Sequence, residues 1–134
     1  MRPVTKTVGK ITTDHLERDF KNALNETPHN SIATALSITQ VNELGLVYTP
    51  DEIAALCTIA KTEGLRIHMD GARFANALAS LKCTPAELSW KSGVDVLTLG
   101  ATKCGALCAE AVIFFDKALT QNFEQRRKRT GHLV

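Results

Sequence analysis

One lysine, Lys103, stands alone among small residues in a loop between two apolar runs. The loop, residues 100–110, is rich in Gly, Ala, Thr and Cys, and apolar, partly β-branched residues flank it at 94–99 and 111–115. An amine among such residues would be partly desolvated, which lowers its pKa and makes it a nucleophile. The alternative is an ordinary solvated lysine, but the lack of polar neighbours favours a reactive amine.

A carboxylate and a guanidinium precede this lysine by about thirty residues. Asp70 follows an apolar run and forms an Asp-Gly pair, and Arg73 comes three residues later. Asp70 could be a turn residue, since Asp-Gly pairs favour turns, and Arg73 could be a cation on a helix surface. Alternatively, Arg73 could hold a carboxylate or a phosphate.

The spacing of the apolar runs predicts how these residues are positioned. Runs at 35–39, 65–69 and 94–99 recur about every thirty residues with helical patterns between them, which is typical of βαβ units. Right-handed crossovers would give a parallel sheet with helices on both faces. The loop after 99 is too short for a crossover helix, so the run at 111–115 is expected to be antiparallel. The sequence therefore predicts one α/β domain, a three-layer α-β-α arrangement with a mostly parallel sheet plus one antiparallel strand.

Capping patterns predict the helices. Thr49-Pro50-Asp51-Glu52 is a capping box with Pro at the first helical position, and Gly64 ends that helix. Its expected buried stripe is Ile53, Leu56, Cys57 and Ala60. Four other helices are expected: one that begins at a cap at Thr13, one over Ala72 to Leu81, one over Thr84 to Lys91 that ends at Gly93, and one over Leu119 to Arg129. The apolar residues expected to face inward on the first two are Leu16, Phe20, Ala23, Leu24, Leu78 and Leu81. Pro28 to Ser31 are expected to form a loop.

Polar residues follow the carboxyl ends of the three expected parallel strands. Gln40, Asp70 and the Thr102-Lys103 pair should therefore converge on the edge where such sheets bind ligands. A nucleophilic lysine and a carboxylate on one edge suit pyridoxal 5'-phosphate (PLP), whose aldehyde bonds to lysine and whose pyridinium nitrogen pairs with a carboxylate. Gln40 could line this site or simply cap the end of its strand.

Composition excludes several other classes of protein. Apolar residues make up 44% of the chain and charged residues 22%, and the net charge is +2, too small to indicate nucleic-acid or membrane binding. The four cysteines form no CxxC pair and no metal-ligand spacing with the histidines, so we expect free thiols in a reducing cytoplasm and no metal. No membrane span or signal peptide is evident. The run Arg126 to Arg129 could bind nucleic acid, but a solvated helix face is favoured.

Two motifs carry a family resemblance. His68-Met-Asp-Gly-Ala-Arg-Phe74 is followed by Gly100-Ala-Thr-Lys-Cys-Gly-Ala-Leu-Cys-Ala-Glu-Ala-Val112. Together with Ser37-Ile-Thr-Gln-Val-Asn-Glu-Leu-Gly45, Tyr48 and residues 126–132, they resemble the low-specificity L-threonine aldolases. That family belongs to the β-eliminating lyase group of aspartate-aminotransferase-like (fold type I) PLP enzymes. The match covers nearly the whole chain.

The resemblance implies a role for each residue of the expected site. Lys103 would form the Schiff base with PLP, Asp70 would pair with the pyridinium nitrogen, and Arg73 would lie beside the cofactor and the substrate carboxylate. Thr102 and Gln40 complete the expected cofactor-binding set. The implied reaction cleaves L-threonine or L-allo-threonine to glycine and acetaldehyde, in a cytoplasmic homotetramer whose active sites lie between subunits.

The same resemblance implies that the chain is part of a large PLP-binding domain. The phosphate-binding loop and the histidine that stacks on the cofactor would lie upstream, and a small domain with a second arginine would lie downstream. Two other functions remain open on the sequence alone. One is a different PLP reaction, β-elimination or transamination, and the other is a truncated, non-catalytic relative that serves only in binding or assembly.

Overall fold

The computed structural model describes residues 3–4, 8–25 and 32–132. Its helices and strands alternate through the first two thirds of the chain, as βαβ units require. In chain order the elements are α1 (Thr13–Asn25), β1 (Ala35–Thr39), α2 (Pro50–Thr62), β2 (Arg66–Gly71), α3 (Phe74–Leu81), β3 (Val96–Gly100), β4 (Glu110–Phe114) and α4 (Phe123–Arg129), with short 3₁₀ helices at Trp90–Ser92, Thr102–Cys104 and Lys117–Thr120.

The four strands form one sheet in the order β1-β2-β3-β4. Strands β1, β2 and β3 are parallel, and β4 is antiparallel to β3. The predicted α/β fold with a mostly parallel sheet and one antiparallel strand is therefore confirmed. Each predicted strand lies within two residues of the observed one.

One face of the sheet builds the core. Leu36, Ile67, Met69 and Leu97 share this face because side chains alternate along each strand and the strands pair in register. Helices α1, α2 and α3 pack their apolar residues into the same cluster. Its members are Leu16, Leu36, Ile38, Val41, Tyr48, Ile53, Leu56, Cys57, Ala60, Leu65, Ile67, Met69, Phe74, Ala77, Leu88, Val94 and Leu97.

The opposite face of the sheet carries the more polar side chains. Ser37 on β1 is exposed, and His68 on β2 and Thr98 on β3 are half-buried. At the β4 end, Phe123 of α4 packs edge-on against Phe114 with ring centroids 4.9 Å apart. Within the described residues, the third layer of the predicted α-β-α arrangement is therefore built by α4 at this end.

Helix α2 has the predicted cap and the predicted buried stripe. The side chain of Thr49 accepts a hydrogen bond from the backbone N–H of Glu52, and the Glu52 carboxylate accepts one from that of Thr49. All four residues expected to be buried on this helix are buried. Gly64 follows at φ +75°, a left-handed conformation that glycine adopts without strain.

The predicted helix over Thr84 to Lys91 is wrong. The capping hydrogen bonds between Thr84 and Glu87 do form, but the chain continues as turns into the 3₁₀ helix at Trp90–Ser92. Hydroxyl groups compete for the backbone here, since Ser89 Oγ donates to the Pro85 carbonyl at 2.6 Å and Ser92 Oγ donates to the carbonyl of Glu87. Gly93 ends the segment as expected, at φ +102°.

Three other helix boundaries differ from the expected ones. Thr12 rather than Thr13 caps α1, because its carbonyl accepts the first helical bond from Leu16 at 3.1 Å. Helix α3 begins two residues later than expected, at Phe74. The last helix is interrupted by Asn122, which adopts a left-handed φ of +61° between the 3₁₀ turn and α4.

Some predictions fall outside what the structure describes. The side chains of Ala23 and Leu24 and the loop at Pro28 to Ser31 lie outside the described residues. Of the inward-facing residues that are described, Leu16 is buried, and Phe20, Leu78 and Leu81 are partly buried against the core. Among the helices described, none is long and apolar enough to cross a membrane.

Candidate active site at the carboxyl edge of the sheet

Asp70 is held at the end of β2 by its neighbours. It pairs with Thr39 on β1 and with Thr98 on β3, and its carbonyl accepts a hydrogen bond of 2.8 Å from the backbone N–H of Gln40. Its Oδ1 accepts a hydrogen bond of 3.0 Å from the backbone N–H of Ala72. In the described residues Oδ2 makes no hydrogen bond, so one carboxylate oxygen remains available to a ligand.

Lys103 lies in the short 3₁₀ helix that follows β3. The base of its loop is closed by a hydrogen bond of 2.9 Å from the backbone N–H of Ala101 to the carbonyl of Ala109. Thr102 lies beside Lys103 in the same turn. The side chain of Lys103 is exposed, as is every residue from 102 to 112. The expected desolvation of Lys103 by its own loop is therefore wrong, because the small residues of this loop leave the amine open to water.

Close backbone contact brings the lysine loop next to the segment after Asp70. A Cβ atom on Gly100, the last residue of β3, would lie 3.3 Å from the Cα of Ala72. The thiol of Cys104 lies 3.6 Å from Oδ1 of Asn76 on α3. The sequence-predicted residues Asp70 and Lys103 therefore sit on adjoining segments at the same edge of the sheet.

Arg73 reaches across this edge to the loop that follows β1. Its Nη1 donates to Oε1 of Glu43 and to the carbonyl of Val41, both at 3.3 Å. The pKa of the Glu43 carboxyl is lowered by a hydrogen bond from its own backbone N–H, by the hydrogen bond from Arg73 and by the charges of Arg73 and Lys103. The Glu43 carboxylate thus interacts electrostatically with both cations of the expected site, Arg73 and Lys103.

Sequence reasoning missed Glu43. The position of Glu43 in the sequence could have identified it, because Glu43, like Gln40, lies just beyond the carboxyl end of β1. A charged side chain at that edge lies where parallel sheets bind their ligands, so its charge influences what can bind there.

Gln40 lies beside Asp70 in the backbone but has a different role from the expected one. Its side chain is fully buried; Nε2 donates to the carbonyl of Tyr48 at 2.7 Å, and Oε1 accepts from the Tyr48 backbone N–H at 3.0 Å. A cofactor contact would cost both hydrogen bonds, and unpaired buried amide groups are costly. Gln40 therefore supports the loop after β1 and the backbone of Asp70, and we do not retain it as a cofactor-binding residue.

A row of three polar side chains crosses the more polar face of the sheet at His68, three residues before the end of β2. Ser37 Oγ lies 2.8 Å from His68 Nδ1, and His68 Nε2 lies 3.2 Å from Thr98 Oγ1. Thr98 Oγ1 donates in turn to the Met69 carbonyl at 3.4 Å. This order assigns the His68 proton to Nε2, with Ser37 donating to Nδ1. Burial lowers the pKa of His68, although the nearby Asp70 charge acts in the opposite direction.

Cysteines and acidic residues offer no alternative metal centre in the described part of the chain. No group of three or more His, Cys, Asp or Glu side chains is placed to hold a metal ion among those residues. Cys57, Cys83, Cys104 and Cys108 are free thiols, and only the last two are exposed.

Comparison with known proteins identifies relatives of this chain by sequence similarity. The family model for the beta-eliminating lyases matches residues 1–134. A low specificity L-threonine aldolase from Pseudomonas sp. (strain NCIMB 10558) is 52% identical over 99 residues, which are 74% of this chain and 29% of that protein. The protein of the same name from Pseudomonas aeruginosa is 46% identical over 127 residues, or 95% of this chain and 36% of that protein.

Solved structures agree with the fold. The threonine aldolase from Leishmania major matches with a TM-score of 0.81 and 29% identity, over 92% of this chain and 35% of that chain. A protein from Exiguobacterium sp. 255-15, described as a putative aromatic amino acid beta-eliminating lyase/threonine aldolase, matches with a TM-score of 0.69 and 20% identity, which supports the fold alone. The chain thus spans about a third of the length of these relatives. Because the family model covers it from end to end, the chain belongs to the beta-eliminating lyase family.

Proposed function

We propose that the complete protein to which this chain belongs is a PLP-dependent lyase that cleaves L-threonine and L-allo-threonine to glycine and acetaldehyde. The observation that carries the proposal is the meeting of Lys103, Asp70 and Arg73 at the carboxyl edge of the sheet. Two relatives named as low specificity L-threonine aldolases, at 46–52% identity, support the choice of substrate.

The residues present have the chemistry that PLP requires. Lys103 offers an exposed primary amine, which can bond to an aldehyde carbon. Asp70 offers a carboxylate whose Oδ1 is fixed by the Ala72 N–H and whose Oδ2 can accept from a pyridinium nitrogen. A charge-assisted hydrogen bond of this kind keeps the ring nitrogen protonated. When bound, PLP supplies an electron sink that permits the Cα–Cβ bond of the amino acid to break.

Each residue of the site has a separate task in this proposal. Lys103 Nζ would hold the cofactor, and its amine could carry a proton to or from the substrate Cα. Asp70 orients the ring and keeps its charge. Arg73 binds the α-carboxylate, since a guanidinium matches the planar geometry of a carboxylate. Thr102, in the same turn as Lys103, is proposed to contact the cofactor through its exposed hydroxyl group.

The location and the assembly of the protein are part of the proposal. We infer a cytoplasmic homotetramer with active sites between subunits, because the family resemblance implies it. Sedimentation of the complete protein tests the assembly.

A direct test is to add L-threonine and PLP to the complete protein and to measure acetaldehyde and glycine. We expect equal amounts of both products from the wild type and none above background from Lys103→Ala. Lys91→Ala is the matched control, because Lys91 is an exposed lysine beside Trp90 and should leave the rate unchanged. Borohydride reduction with PLP should label a peptide that contains Lys103. A label found only at Lys82 or Lys91 would disprove the assignment.

A second function is favoured by the family description itself. The beta-eliminating lyases are named for the loss of a β-substituent, which releases a keto acid and ammonia rather than an aldehyde and glycine. A panel of serine, cysteine, tyrosine and threonine, assayed in parallel for keto acids and for acetaldehyde, separates the two. Keto acids without acetaldehyde would favour β-elimination or transamination. A protein that binds no PLP would be a non-catalytic module.

A further inference from the structure

The guanidinium of Arg73 is already paired with a carboxylate of the same chain. Glu43 Oε1 lies 3.3 Å from Nη1 of Arg73, and the Val41 carbonyl shares that nitrogen at the same distance. Charge-assisted hydrogen bonds in proteins are usually about 2.7–2.9 Å long. The contact is therefore loose and uses one oxygen of the carboxylate, whereas Arg can bind a carboxylate through two parallel hydrogen bonds.

The Glu43 side chain can leave this position without moving its backbone. Asn42, which is buried, accepts hydrogen bonds from the backbone N–H of Leu44 at 3.0 Å and of Leu46 at 2.9 Å and donates to the Gly9 carbonyl at 2.6 Å. These bonds fix the loop on both sides of Glu43. The Glu43 side chain itself is 74% exposed, and that of Arg73 is 29% exposed. Rotation of the Glu43 side chain is therefore enough to break the ion pair.

The position of Glu43 also matches what an anionic ligand would find at this edge. Its carboxylate contacts Arg73 and lies within electrostatic reach of Lys103, the other cation of the site. A free carboxylate that binds Arg73 through Nη1 would have to take this place, because Nη1 already contacts both Glu43 and the Val41 carbonyl.

We propose that Glu43 is an internal substitute for the α-carboxylate of the substrate: it pairs with Arg73 and is displaced when the amino acid binds. The nature of the ligand rests on the proposed function, but the competition for Arg73 does not. Glu43 thereby weakens the binding of every carboxylate to Arg73 by the free energy of the ion pair. A ligand that binds Arg73 through both oxygens and also bonds elsewhere in the site outcompetes Glu43, while a simple anion does so poorly.

The test compares Glu43→Gln with Glu63→Gln in the complete protein. Glu63 is also exposed, but it lies at the end of α2, before β2 and hence at the opposite edge of the sheet. The probe is acetate, titrated into cofactor-free protein and followed by saturation-transfer NMR. We expect Glu43→Gln to bind acetate roughly two- to fivefold more tightly, the range set by an exposed ion pair. Glu63→Gln should match the wild type.

Two further variants and a kinetic measurement make the result specific. The double variant Glu43→Gln/Arg73→Gln should bind acetate no more tightly than Arg73→Gln alone, because both lack the guanidinium for which Glu43 competes. With PLP and L-threonine, Glu43→Gln should lower KM by a similar factor and leave kcat within about twofold. Circular dichroism and melting temperature confirm that each variant is folded.

The acetate measurement decides the inference, and the kinetic measurement separates it from the proposed function. Unchanged acetate affinity in Glu43→Gln, or a gain that persists without Arg73, would overturn the inference. A large fall in kcat with unchanged KM would also overturn it, because Glu43 would then act on the reacting atoms. A wild-type protein that cleaves no threonine refutes the proposed function, while the acetate titration still tests the competition at Arg73.

Discussion

The thiol of Cys104 lies 3.6 Å from Oδ1 of Asn76, so the turn that carries Lys103 is tied to helix α3. Helix α3 follows Asp70 and Arg73 directly in the chain. One weak hydrogen bond thus connects the segment with the amine to the segment with the carboxylate and the guanidinium. Elsewhere the two segments meet through backbone contact near Gly100.

Removing this tie should loosen the lysine turn. We expect Cys104→Val to lower kcat of the complete protein by about tenfold, because small misplacements of reacting groups are costly. Cys104→Ser can still donate to Asn76 and should stay close to wild type. Steady-state kinetics with L-threonine measure the effect. Equal rates for the Val and Ser variants would show that the tie has no influence on the site.

Asp70→Asn should leave the fold intact and strongly reduce turnover. The amide oxygen can still accept from the Ala72 N–H, so we expect the fold and the attachment of PLP to Lys103 to survive. Its neutral side chain cannot stabilise a charged ring nitrogen, and turnover should fall by about a hundredfold or more. Absorbance of the bound cofactor and release of acetaldehyde measure the two properties. Asp51→Asn, at an exposed helix start, is the control; unchanged turnover in Asp70→Asn would remove Asp70 from the mechanism.

His68 should titrate below the usual range of histidine. Burial between Ser37 and Thr98 lowers its pKa from 6.5. The unfolded chain then binds more protons than the folded one near pH 6, so the free energy of unfolding falls as pH drops below about 6.5. We expect His68→Gln to show a smaller loss over that interval than the wild type or His132→Gln, measured by urea unfolding at pH 5.5 and 7.5. An NMR pKa above 6.5 for His68 would contradict the assignment.

The buried thiol of Cys57 should react with thiol reagents much more slowly than the exposed thiols of Cys104 and Cys108. Burial raises the pKa of Cys57 from 9.0 to about 11, so at pH 8 the thiol is neutral as well as shielded. Ellman's reagent should modify Cys104 and Cys108 rapidly and Cys57 only after unfolding. Because the folded pKa is raised, the free energy of unfolding should also fall as pH rises from about 9 to 11. Cys57→Ala should remove the one thiol of these three that reacts only after unfolding, with Cys83→Ala as the comparison for the half-buried thiol; fast modification of Cys57 in the folded protein would refute its burial.

The sequence predicted those parts of the fold that depend on local patterns. The strands and α2 are local in this sense, because an apolar run and a capping box are each complete within a few residues. The segment after Thr84 was mispredicted because serine hydroxyls took backbone carbonyls that a helix would need. A capping box states where a helix can begin, but not that it continues.

The candidate site could be predicted only as far as the ends of strands. Asp70 and Lys103 were placed correctly at one edge, because parallel strands end together. Gln40 met the same criterion, yet its amide is turned toward Tyr48. The exposure of Lys103 and the pairing of Arg73 with Glu43 depend on how side chains are oriented across separate loops, which spacing along the chain does not specify.

Two glycines next to the site set limits on how this family member can vary. A Cβ on Gly71 would lie 2.9 Å from the carbonyl oxygen of Thr98, and one on Gly100 would lie 3.3 Å from the Cα of Ala72. Both contacts are with backbone atoms, which cannot rotate away as a side chain can. Even alanine at Gly71 would therefore push β2 and β3 apart, and alanine at Gly100 would require the Ala72 backbone to move by a few tenths of an ångström. The close approach of the strands and turns that carry the amine and the carboxylate thus depends on two missing methyl groups.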